Sequence, residues 1–322
     1  MTKSFIQFFP RFLSSFLFLA LSVHQPKFCP TASWNPNAIT ITNPSVVHLW
    51  HWSFFVSTNN TIYVANRENN IISVRHEDSV NSTQTISGNF TSPLSLFVTS
   101  NGDIYIDDGY KNGQVQKWIA KTKTFVIVMY INSSCNDLFV DTNYTLYCSI
   151  WTNHQVVKRW LNDSDMTSNI IAAGTGHRGQ AENQLNEPYG IFVDVNFDLY
   201  VADYKNDRVQ LFVSGESRGI TVAGFGSPNP TINLYYPGGI VLDAEKYLFI
   251  VDSYNHRIVG SGLNGFRCLV GCYGEGSQPN RLSYPGSLRF DRSGNMFVTD
   301  AGNTRIQKFT HPKKSCRKLK QD

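Results

Sequence analysis

The sequence lacks the long Ala-, Leu-, Glu- and Lys-rich stretches with helical periodicity that an α-helical protein needs. Between residues 35 and 310 it also has no Pro/Ser-rich linker and no run of charge that would divide it into separate domains. What it does have is 13% aromatic residues and many Val, Ile and Thr residues, which are typical of strands. The 322 residues therefore predict one large, repetitive domain that is nearly all β.

The N-terminus has no apolar run of the length that a membrane-spanning helix needs. Lys3 and Arg11 precede an uncharged apolar segment, residues 12–21, and a polar break follows at residues 22–26. A spanning helix needs about 20 apolar residues. We expect a secretory signal peptide over residues 1–22, with Ala20-Leu21-Ser22 as a cleavage site. An uncleaved N-terminal membrane anchor is the alternative; if the signal is cleaved, no stable membrane span is expected.

Little charge is available to attract nucleic acid. The formal net charge is +4, and Lys3 and Arg11 of the predicted signal contribute +2 of it. The basic tail, residues 311–322, contributes a further +4, because five Lys and Arg residues outnumber the one acid, Asp322. The body between them, residues 23–310, is therefore near −2. We expect a solvated tail and no nucleic-acid partner.

One short strand pattern with an aromatic residue at its second position recurs six times. Its copies are residues 62–66, 104–108, 146–150, 199–203, 248–252 and 296–300. Spacings of 42, 42, 53, 49 and 48 residues suit a four-stranded propeller blade. Each copy follows another strand and a polar turn, and precedes a third and usually a fourth strand. The pattern predicts an all-β, six-bladed β-propeller of four-stranded antiparallel blades.

The last blade lacks a fourth strand after Phe309, and the N-terminal segment offers one. Residues 38–43 resemble residues 219–224, the fourth strand of the fourth blade. An open ring would leave unpaired strand edges, which are an aggregation hazard. We therefore expect an N-terminal strand to complete blade six and close the ring.

The last three blades carry D-x-x-N-x-R between their second and third strands. The residues are Asp203, Asn206 and Arg208; Asp252, Asn255 and Arg257; and Asp300, Asn303 and Arg305. A carboxylate beside a turn accepts backbone N–H groups, and a guanidinium is a planar fork that can bridge neighbouring loops. The motif is therefore expected to be structural.

With L-x-x-P-x-G-I-x-V-D at residues 185–194 ahead of it, the motif resembles the NHL repeat family. The resemblance is specific over residues 184–309 and weakens upstream, where Ile71 stands at the arginine position of blade one, and Ile150 and Gln155 replace Asp and Arg in blade three. The resemblance implies a β-propeller that acts as a binding scaffold. A non-catalytic scaffold for an extracellular protein or glycan is the favoured function, and RNA binding, known for intracellular relatives, is disfavoured.

The alternative function is a propeller enzyme that resembles a peptidyl-amidating lyase or a metal-dependent lactonase. Such lyases hold zinc with histidines aimed into the central channel, whereas the histidines in this body show no recurrent spacing. Lactonases need Glu, Asn and Asp side chains that converge on the axis, which spacing alone does not test. We expect no catalytic residue, no metal and no cofactor.

A G-x-G-x-x-G segment at residues 174–179 matches the dinucleotide-binding fingerprint. It follows a strand, but no helix follows it, and glycines occupy equivalent places in later repeats, as at residues 224–226. We interpret these glycines as turns between blades.

Six cysteines permit three disulfides. Cys29 precedes the closing strand and Cys316 follows the last strand, so a bridge between them would lock the ring. Cys135 and Cys148 flank a hairpin turn and form the second expected pair. The remaining two cysteines, Cys268 and Cys272, would lie about 13 Å apart along a regular strand, beyond the limit of about 7 Å for a bridge. They can pair only if that strand is broken, and buried free thiols are the alternative.

Six N-x-S/T sequons all lie between residues 59 and 164. They are Asn59, Asn81, Asn89, Asn132, Asn143 and Asn162. Four of them, Asn59, Asn81, Asn143 and Asn162, fall in turns of one face, whereas Asn89 and Asn132 fall in connections between blades. Glycans would therefore mask the first face of blades one to three, and binding is expected on the opposite face of blades four to six. The candidate binding residues there are His177, Arg178, Tyr204, Phe225, Tyr254 and Tyr273. Packing between blades is the alternative role of these aromatic residues. The expected location is extracellular.

Overall fold

The computed structural model describes residues 25–42, 53–57, 59–77, 79, 84–228 and 232–312. In this part of the chain, 24 strands form six four-stranded antiparallel sheets, and four 3₁₀ turns of three residues each are the helical elements. The predicted signal peptide, Asn81, Cys316 and all of the basic tail after residue 312 lie outside the described residues.

Each sheet is one blade, and in blades one to five the four strands follow one another in the chain. Blades one and two contain β2 (Phe54–Val56), β3 (Thr61–Asn66), β4 (Ile71–His76) and β5 (Gln84–Ser87), then β6 (Leu96–Val98), β7 (Ile104–Asp107), β8 (Gln114–Ile119) and β9 (Thr124–Tyr130). Blades three and four contain β10 (Leu138–Val140), β11 (Thr145–Ile150), β12 (Gln155–Trp160) and β13 (Ile170–Gly174), then β14 (Pro188–Val193), β15 (Leu199–Asp203), β16 (Arg208–Phe212) and β17 (Gly219–Gly224). Blade five contains β18 (Pro237–Leu242), β19 (Leu248–Asp252), β20 (Arg257–Gly262) and β21 (Gly265–Val270). The predicted six-bladed propeller is confirmed.

Blade six joins the two ends of the described chain. It contains β22 (Pro285–Phe290), β23 (Met296–Asp300), β24 (Arg305–Phe309) and the N-terminal β1 (Ile39–Thr40). In this sheet Ile39 pairs with Lys308, and the pairing extends beyond β1 because the Ile41 N–H donates to the Ile306 carbonyl at 2.9 Å. The predicted ring closure by an N-terminal strand is confirmed.

Aromatic side chains on the first strands pack adjacent blades together. The rings of Phe55, Phe97, Phe139 and Phe192, one from each of blades one to four, are buried and contact one another in sequence at centroid distances of 5.3, 5.3 and 5.1 Å. Burying such rings between sheets is the main source of stability for a propeller blade, which has too small a core to fold alone.

The segment before the closing strand packs on blades five and six. Phe28 and Trp34 are buried, with centroids 5.0 Å apart, and both contact Phe249 and Phe290. The Trp34 indole N–H donates to the Gly294 carbonyl at 2.8 Å. The N-terminal segment therefore fixes the closure by packing as well as by strand pairing.

The structure joins Cys135 to Cys148, the expected hairpin pair of blade three. Cys29 is also disulfide-bonded, but Cys316, its expected partner, lies outside the described residues. Cys268 and Cys272 form a disulfide with Cα atoms 6.0 Å apart. The alternative that these two residues are buried free thiols is therefore wrong.

Gly271 provides the break that this disulfide requires. Strand β21 ends at Val270, and Gly271 has a φ of +74°, so the chain turns before Cys272. A Cβ on Gly271 would lie 2.5 Å from the His256 carbonyl oxygen. Gly174 and Gly224 occupy the same place at the ends of β13 and β17, with φ of +86° and +82°, and no helix follows either. The glycines of the dinucleotide-like segment are therefore turns between blades.

Candidate functional site

The propeller has two faces with different loops. We call one the motif face: it carries the loops between second and third strands, with the 3₁₀ turns Trp151–Asn153, Tyr204–Asn206, Ser253–Asn255 and Ala301–Asn303, and the connections that enter each next blade. The other, the turn face, carries the turns between first and second strands and between third and fourth strands. All six candidate binding residues lie in loops of the motif face.

Asp203 organises the motif loop of blade four. Its side chain is fully buried, and one oxygen, Oδ2, accepts hydrogen bonds from Asn206 Nδ2 at 2.8 Å and Arg208 Nε at 2.7 Å. Oδ1 accepts the Asn186 N–H at 2.7 Å. Burial raises the pKa of Asp203, and these donors oppose that rise. The carboxylate thus holds both ends of its own loop and the connection that enters the blade.

Arg208 extends this network into the same connection. Its guanidinium donates to the carbonyl oxygens of Gln180, Ala181 and Gln184 at 3.0, 3.1 and 3.1 Å. Because Arg208 is nearly buried, these charge-assisted bonds are shielded from water. The segment that carries His177 and Arg178 is therefore anchored at its C-terminal side.

Blades five and six repeat the arrangement. Arg257 Nε donates to Asp252 at 2.8 Å, and Arg305 Nε donates to Asp300 at 2.6 Å. In each blade the motif asparagine also donates to the carboxylate, and the arginine reaches carbonyls of the preceding connection. This geometry supports the structural role expected for the nine motif residues.

Two histidines have equivalent structural positions, contrary to the sequence interpretation that found no recurrence. His154 and His256 end the 3₁₀ turns of blades three and five in the left-handed conformation, with φ of +50° and +54°. Each Nδ1 accepts a backbone N–H at 3.1 Å from the residue before the proline that begins the next blade. Asp207 does the same in blade four. These side chains connect adjacent blades.

Six tyrosines from three blades form a continuous group at the motif face, here called the tyrosine cluster. Its members are Tyr189, Tyr204, Tyr235, Tyr236, Tyr254 and Tyr284. Tyr204 stacks on Tyr236 at a centroid distance of 4.8 Å, and Tyr254 contacts Tyr236 and Tyr284 edge-on at 4.7 and 5.1 Å. Stacked and edge-on pairs are favourable ring arrangements. The cluster therefore connects blades four, five and six.

The cluster offers polar and cationic groups beside its rings. Burial raises the pKa of Tyr204, and the neighbouring Tyr254 hydroxyl raises it further. Burial also raises the pKa of Tyr189. Both phenols therefore stay protonated at neutral pH and can donate hydrogen bonds. Lys205 Nζ lies 4.8 Å from the Tyr236 centroid, within cation–π range.

In the described part of the chain, two of the six candidate binding residues are in ring contact with each other. Tyr204 and Tyr254 are half-buried in the tyrosine cluster, with centroids 6.4 Å apart. Phe225 and Tyr273 are 69% and 59% exposed at the starts of the connections into blades five and six. His177 and Arg178, also exposed, lie in the connection into blade four.

The sequence interpretation missed four members of the cluster: Tyr189, Tyr235, Tyr236 and Tyr284. Tyr236 and Tyr284 stand directly before the prolines that begin first strands, and Tyr189 directly after one. The recurrence of tyrosine beside these prolines is visible in the sequence and is the signal that could have identified the cluster.

The central channel is narrow where the first strands meet. A Cβ on Gly190 would lie 2.6 Å from the Gly238 carbonyl oxygen and 2.8 Å from the Gly239 Cα, so the backbones of blades four and five approach closely. The cavity at this level has a volume of about 10 Å³, and its lining includes Asp137, Gly190 and Gly286.

An ion pair crosses the channel between blades three and six, which lie opposite each other in the ring. Arg289 Nη2 is 3.5 Å from Asp137 Oδ1, and Asp137 Oδ2 accepts the Ile191 N–H at 3.1 Å. Burial raises the pKa of Asp137, and the charge of Arg289 lowers it. The pair thus links two opposite blades across the channel.

Among the residues that the structure describes, no group of three or more His, Cys, Asp or Glu side chains is placed to hold a metal ion. Within the same ranges, no helix has the length and apolar character needed to cross a membrane.

No family model matches the chain, and no curated protein matches it. Solved structures share its fold. A structural genomics protein of unknown function from Bacteroides thetaiotaomicron is 15% identical with a TM-score of 0.67, over 90% of this chain and 76% of that one. An auxiliary nutrient binding protein from Bacteroides ovatus is 12% identical with a TM-score of 0.63, over 91% and 76%. Virginiamycin B lyase from Staphylococcus aureus is 12% identical with a TM-score of 0.60, over 85% and 98%. At these identities the likeness concerns the propeller fold.

Proposed function

We propose that this chain is a secreted, non-catalytic propeller that recognises an extracellular protein or glycan through the motif face of blades four to six. The observation that carries the proposal is the tyrosine cluster, whose member Tyr235 is exposed, on the same face as the exposed rings of Phe225 and Tyr273. Tyrosine and arginine are enriched among residues that dominate binding energy, because they supply large contact areas together with polar groups.

The rigidity of the surrounding loops supports this placement. Each loop that enters or crosses the motif face in blades four to six is tied down by a buried carboxylate and an arginine. A surface that is already ordered loses less conformational entropy on binding, which favours affinity. The exposed rings therefore stand on a fixed frame.

The expected sequons are consistent with the same side. In blades four to six the sequence has no sequon, and Asn59, Asn143 and Asn162 lie in turns of the opposite face. Asn89 and Asn132 lie on the motif face, but in the connections into blades two and three. Glycans at these positions would leave the motif face of blades four to six uncovered.

Secretion and NHL-type repeats belong to the proposal. The disulfides of the described residues agree with an oxidising compartment. We take residues 1–22 as a cleaved signal peptide, residues 23–310 as the propeller and residues 311–322 as a solvated basic tail. Solved propellers named as auxiliary nutrient binding proteins illustrate that this fold is compatible with a binding role.

The test compares two surface variants, one of three substitutions and a control of two. In the first, Phe225, Tyr235 and Tyr273 are replaced by alanine; in the control, Val195 and Leu263, exposed elsewhere on the propeller, are replaced by alanine. Immobilised wild-type protein is used to capture protein partners from extracellular fluid, and mass spectrometry identifies them. A glycan array tests the same protein for glycan binding. We expect a specific partner to be retained by the control and lost by the aromatic variant. A partner retained by the aromatic variant would exclude this surface.

Metal analysis of the purified full chain separates the scaffold from an enzyme. A scaffold is expected to carry zinc and calcium well below one ion per chain. Stoichiometric metal that survives dialysis would instead favour an amidating lyase or a metal-dependent lactonase.

A further inference from the structure

A sequon and an exposed tryptophan lie side by side at the turn face of blade three, the sequon between β10 and β11 and Trp160 at the end of the neighbouring strand β12. Asn143-Tyr144-Thr145 forms the turn between β10 and β11. Thr145 lies directly opposite Trp160 in the strand register, and the Trp160 indole N–H donates to the Asn143 carbonyl at 3.2 Å. The indole ring therefore lies beside the acceptor residue.

The turn is held in one conformation. Asp141 Oδ1 accepts the N–H groups of Asn143 and Thr145, both at 2.9 Å. The Leu161 N–H donates to the Tyr144 carbonyl at 2.8 Å. Asn143 itself is exposed, as an acceptor for a glycosylating enzyme must be. The position of any group attached to Asn143 is thus constrained relative to Trp160.

Trp160 is 56% exposed and Tyr144 is 63% exposed, so two large aromatic side chains flank one sequon. An exposed indole face is an unfavourable surface unless something covers it, and the apolar C–H face of a pyranose ring is a suitable cover. A sugar joined to Asn143 would need to extend only as far as the neighbouring strand β12 to reach the Trp160 ring.

Blade one supplies a natural comparison. Its sequon, Asn59-Asn60-Thr61, occupies the equivalent turn, but His76 stands opposite Thr61. There the Asn59 side-chain oxygen accepts the hydroxyl groups of Ser57 and Thr61 at 2.6 and 3.0 Å. The combination of a sequon with a tryptophan opposite it thus distinguishes blade three from blade one.

We propose that Asn143 is N-glycosylated and that the first N-acetylglucosamine packs on the exposed face of Trp160. In the transfer, Asn143 Nδ2 loses a proton and bonds to the anomeric carbon of a polyprenyl-diphosphate-linked oligosaccharide, and the polyprenyl diphosphate leaves. The reaction relies on the secretory route of the proposed function. The attached sugar then stabilises the hairpin by covering Trp160.

The experiment starts from the full chain secreted by mammalian cells. Glycopeptide mass spectrometry is expected to find a glycan at Asn143. Thermal midpoints are then measured for the wild type, Asn143→Gln, Trp160→Ala and the double variant. We expect Trp160→Ala to lower the midpoint by about 2 °C more in the glycosylated background than in the Asn143→Gln background. An endoglycosidase that leaves a single sugar should preserve this difference.

Asn59→Gln and Asn162→Gln are the controls. In either background, Trp160→Ala should lower the thermal midpoint as much as it does in the glycosylated wild type. Trp160→Phe, which keeps a ring, should retain most of the difference and guards against a folding defect of the alanine variant. Secreted protein with an unmodified Asn143, equal effects of Trp160→Ala in both backgrounds, or a difference that follows Asn162 would each overturn the proposal. A chain that stays in the cytosol would instead contradict the secretory part of the proposed function.

Discussion

In blades four to six, the loop between the second and third strands is held by the same Asp, Asn and Arg side chains, whereas each of blades one to three uses different groups. In blade one, Asn66 Oδ1 accepts the N–H groups of Glu68 and Asn69. In blade three, Ile150 stands at the Asp position, and the Cys135–Cys148 disulfide joins the connection that enters the blade to its second strand.

Blade two keeps the motif carboxylate but replaces the arginine by other donors. Asp108 is buried at the motif position, but its carboxylate accepts from Asn112, Gln114 and Gln116 at 2.9, 2.7 and 2.5 Å in place of an arginine. Asn112 also reaches the Asn89 carbonyl in the preceding connection at 3.1 Å. In blade two, as in blades four to six, the motif loop is thus linked to the preceding connection, but by different side chains.

The largest expected effect is in the regular half. Arg208→Ala leaves Asp203 as a buried carboxylate and removes the donor from three carbonyls, so we expect a loss of about 3 to 5 kcal/mol in the free energy of unfolding. Urea unfolding at pH 7 measures it. Arg178→Ala, at an exposed position of the connection that Arg208 anchors, is the control and should change stability by less than about 0.5 kcal/mol. A loss of under 1 kcal/mol for Arg208→Ala would show that the motif is not what distinguishes the two halves.

A second test concerns the irregular half. The Cys135–Cys148 disulfide closes a segment with a sequence separation of 13, for which chain entropy predicts about 3 kcal/mol. We expect the Cys135→Ala, Cys148→Ala double variant to lose that amount. The matched variant without the Cys268–Cys272 bridge, whose separation is 4, should lose only about 2 kcal/mol. Equal losses of unfolding free energy in the two variants would show that the disulfide of blade three stabilises the chain no more than the other bridge.

In blade two, Asp107 should make stability depend on pH. Burial raises the pKa of Asp107 to about 7, although the N–H groups of Cys135 and Leu94 lower it. Above its ordinary pKa near 4 the group is ionised in the unfolded chain but still protonated in the folded one. Stability should therefore fall by up to about 1.4 kcal/mol per pH unit between pH 4 and 7, and level off above.

Urea unfolding of the wild type and of Asp107→Asn at pH 4.5, 5.5, 6.5 and 8 checks this sign. The asparagine does not titrate, so its slope should be flatter over the interval. Parallel slopes for the two proteins would assign the pH dependence to other groups.

The smallest effect is expected at the exposed rings of the regular half. Phe225→Ala and Tyr273→Ala should each change the free energy of unfolding by less than about 0.5 kcal/mol, because both side chains face solvent. Tyr204→Ala removes ring contacts with Tyr189 and Tyr236 and should cost more than either. Thermal unfolding of the three variants compares them. A large loss at Phe225 would indicate packing in place of recognition.

Strand periodicity predicted the blades because an aromatic or aliphatic residue recurs at the same place in every second strand, and pairing partners are near in sequence. The tyrosine cluster was only partly predictable, since Tyr204, Tyr236 and Tyr284 come from three blades and meet through the curvature of the ring. The Asp137–Arg289 pair was not predictable for the same reason. The Cys268–Cys272 bridge depended on the left-handed conformation of Gly271, which strand spacing does not reveal.

The closing strand sets an order for the maturation of this chain. Ile39 is among the first described residues to be synthesised, and its partner Lys308 is among the last. The N-terminal strand must therefore wait, unpaired, until nearly the whole propeller has left the ribosome, because such long-range pairing forms late. Any nascent chain that stalls before β24 would expose both a free strand and an incomplete sixth blade. The ring is therefore completed only after β24 has been synthesised.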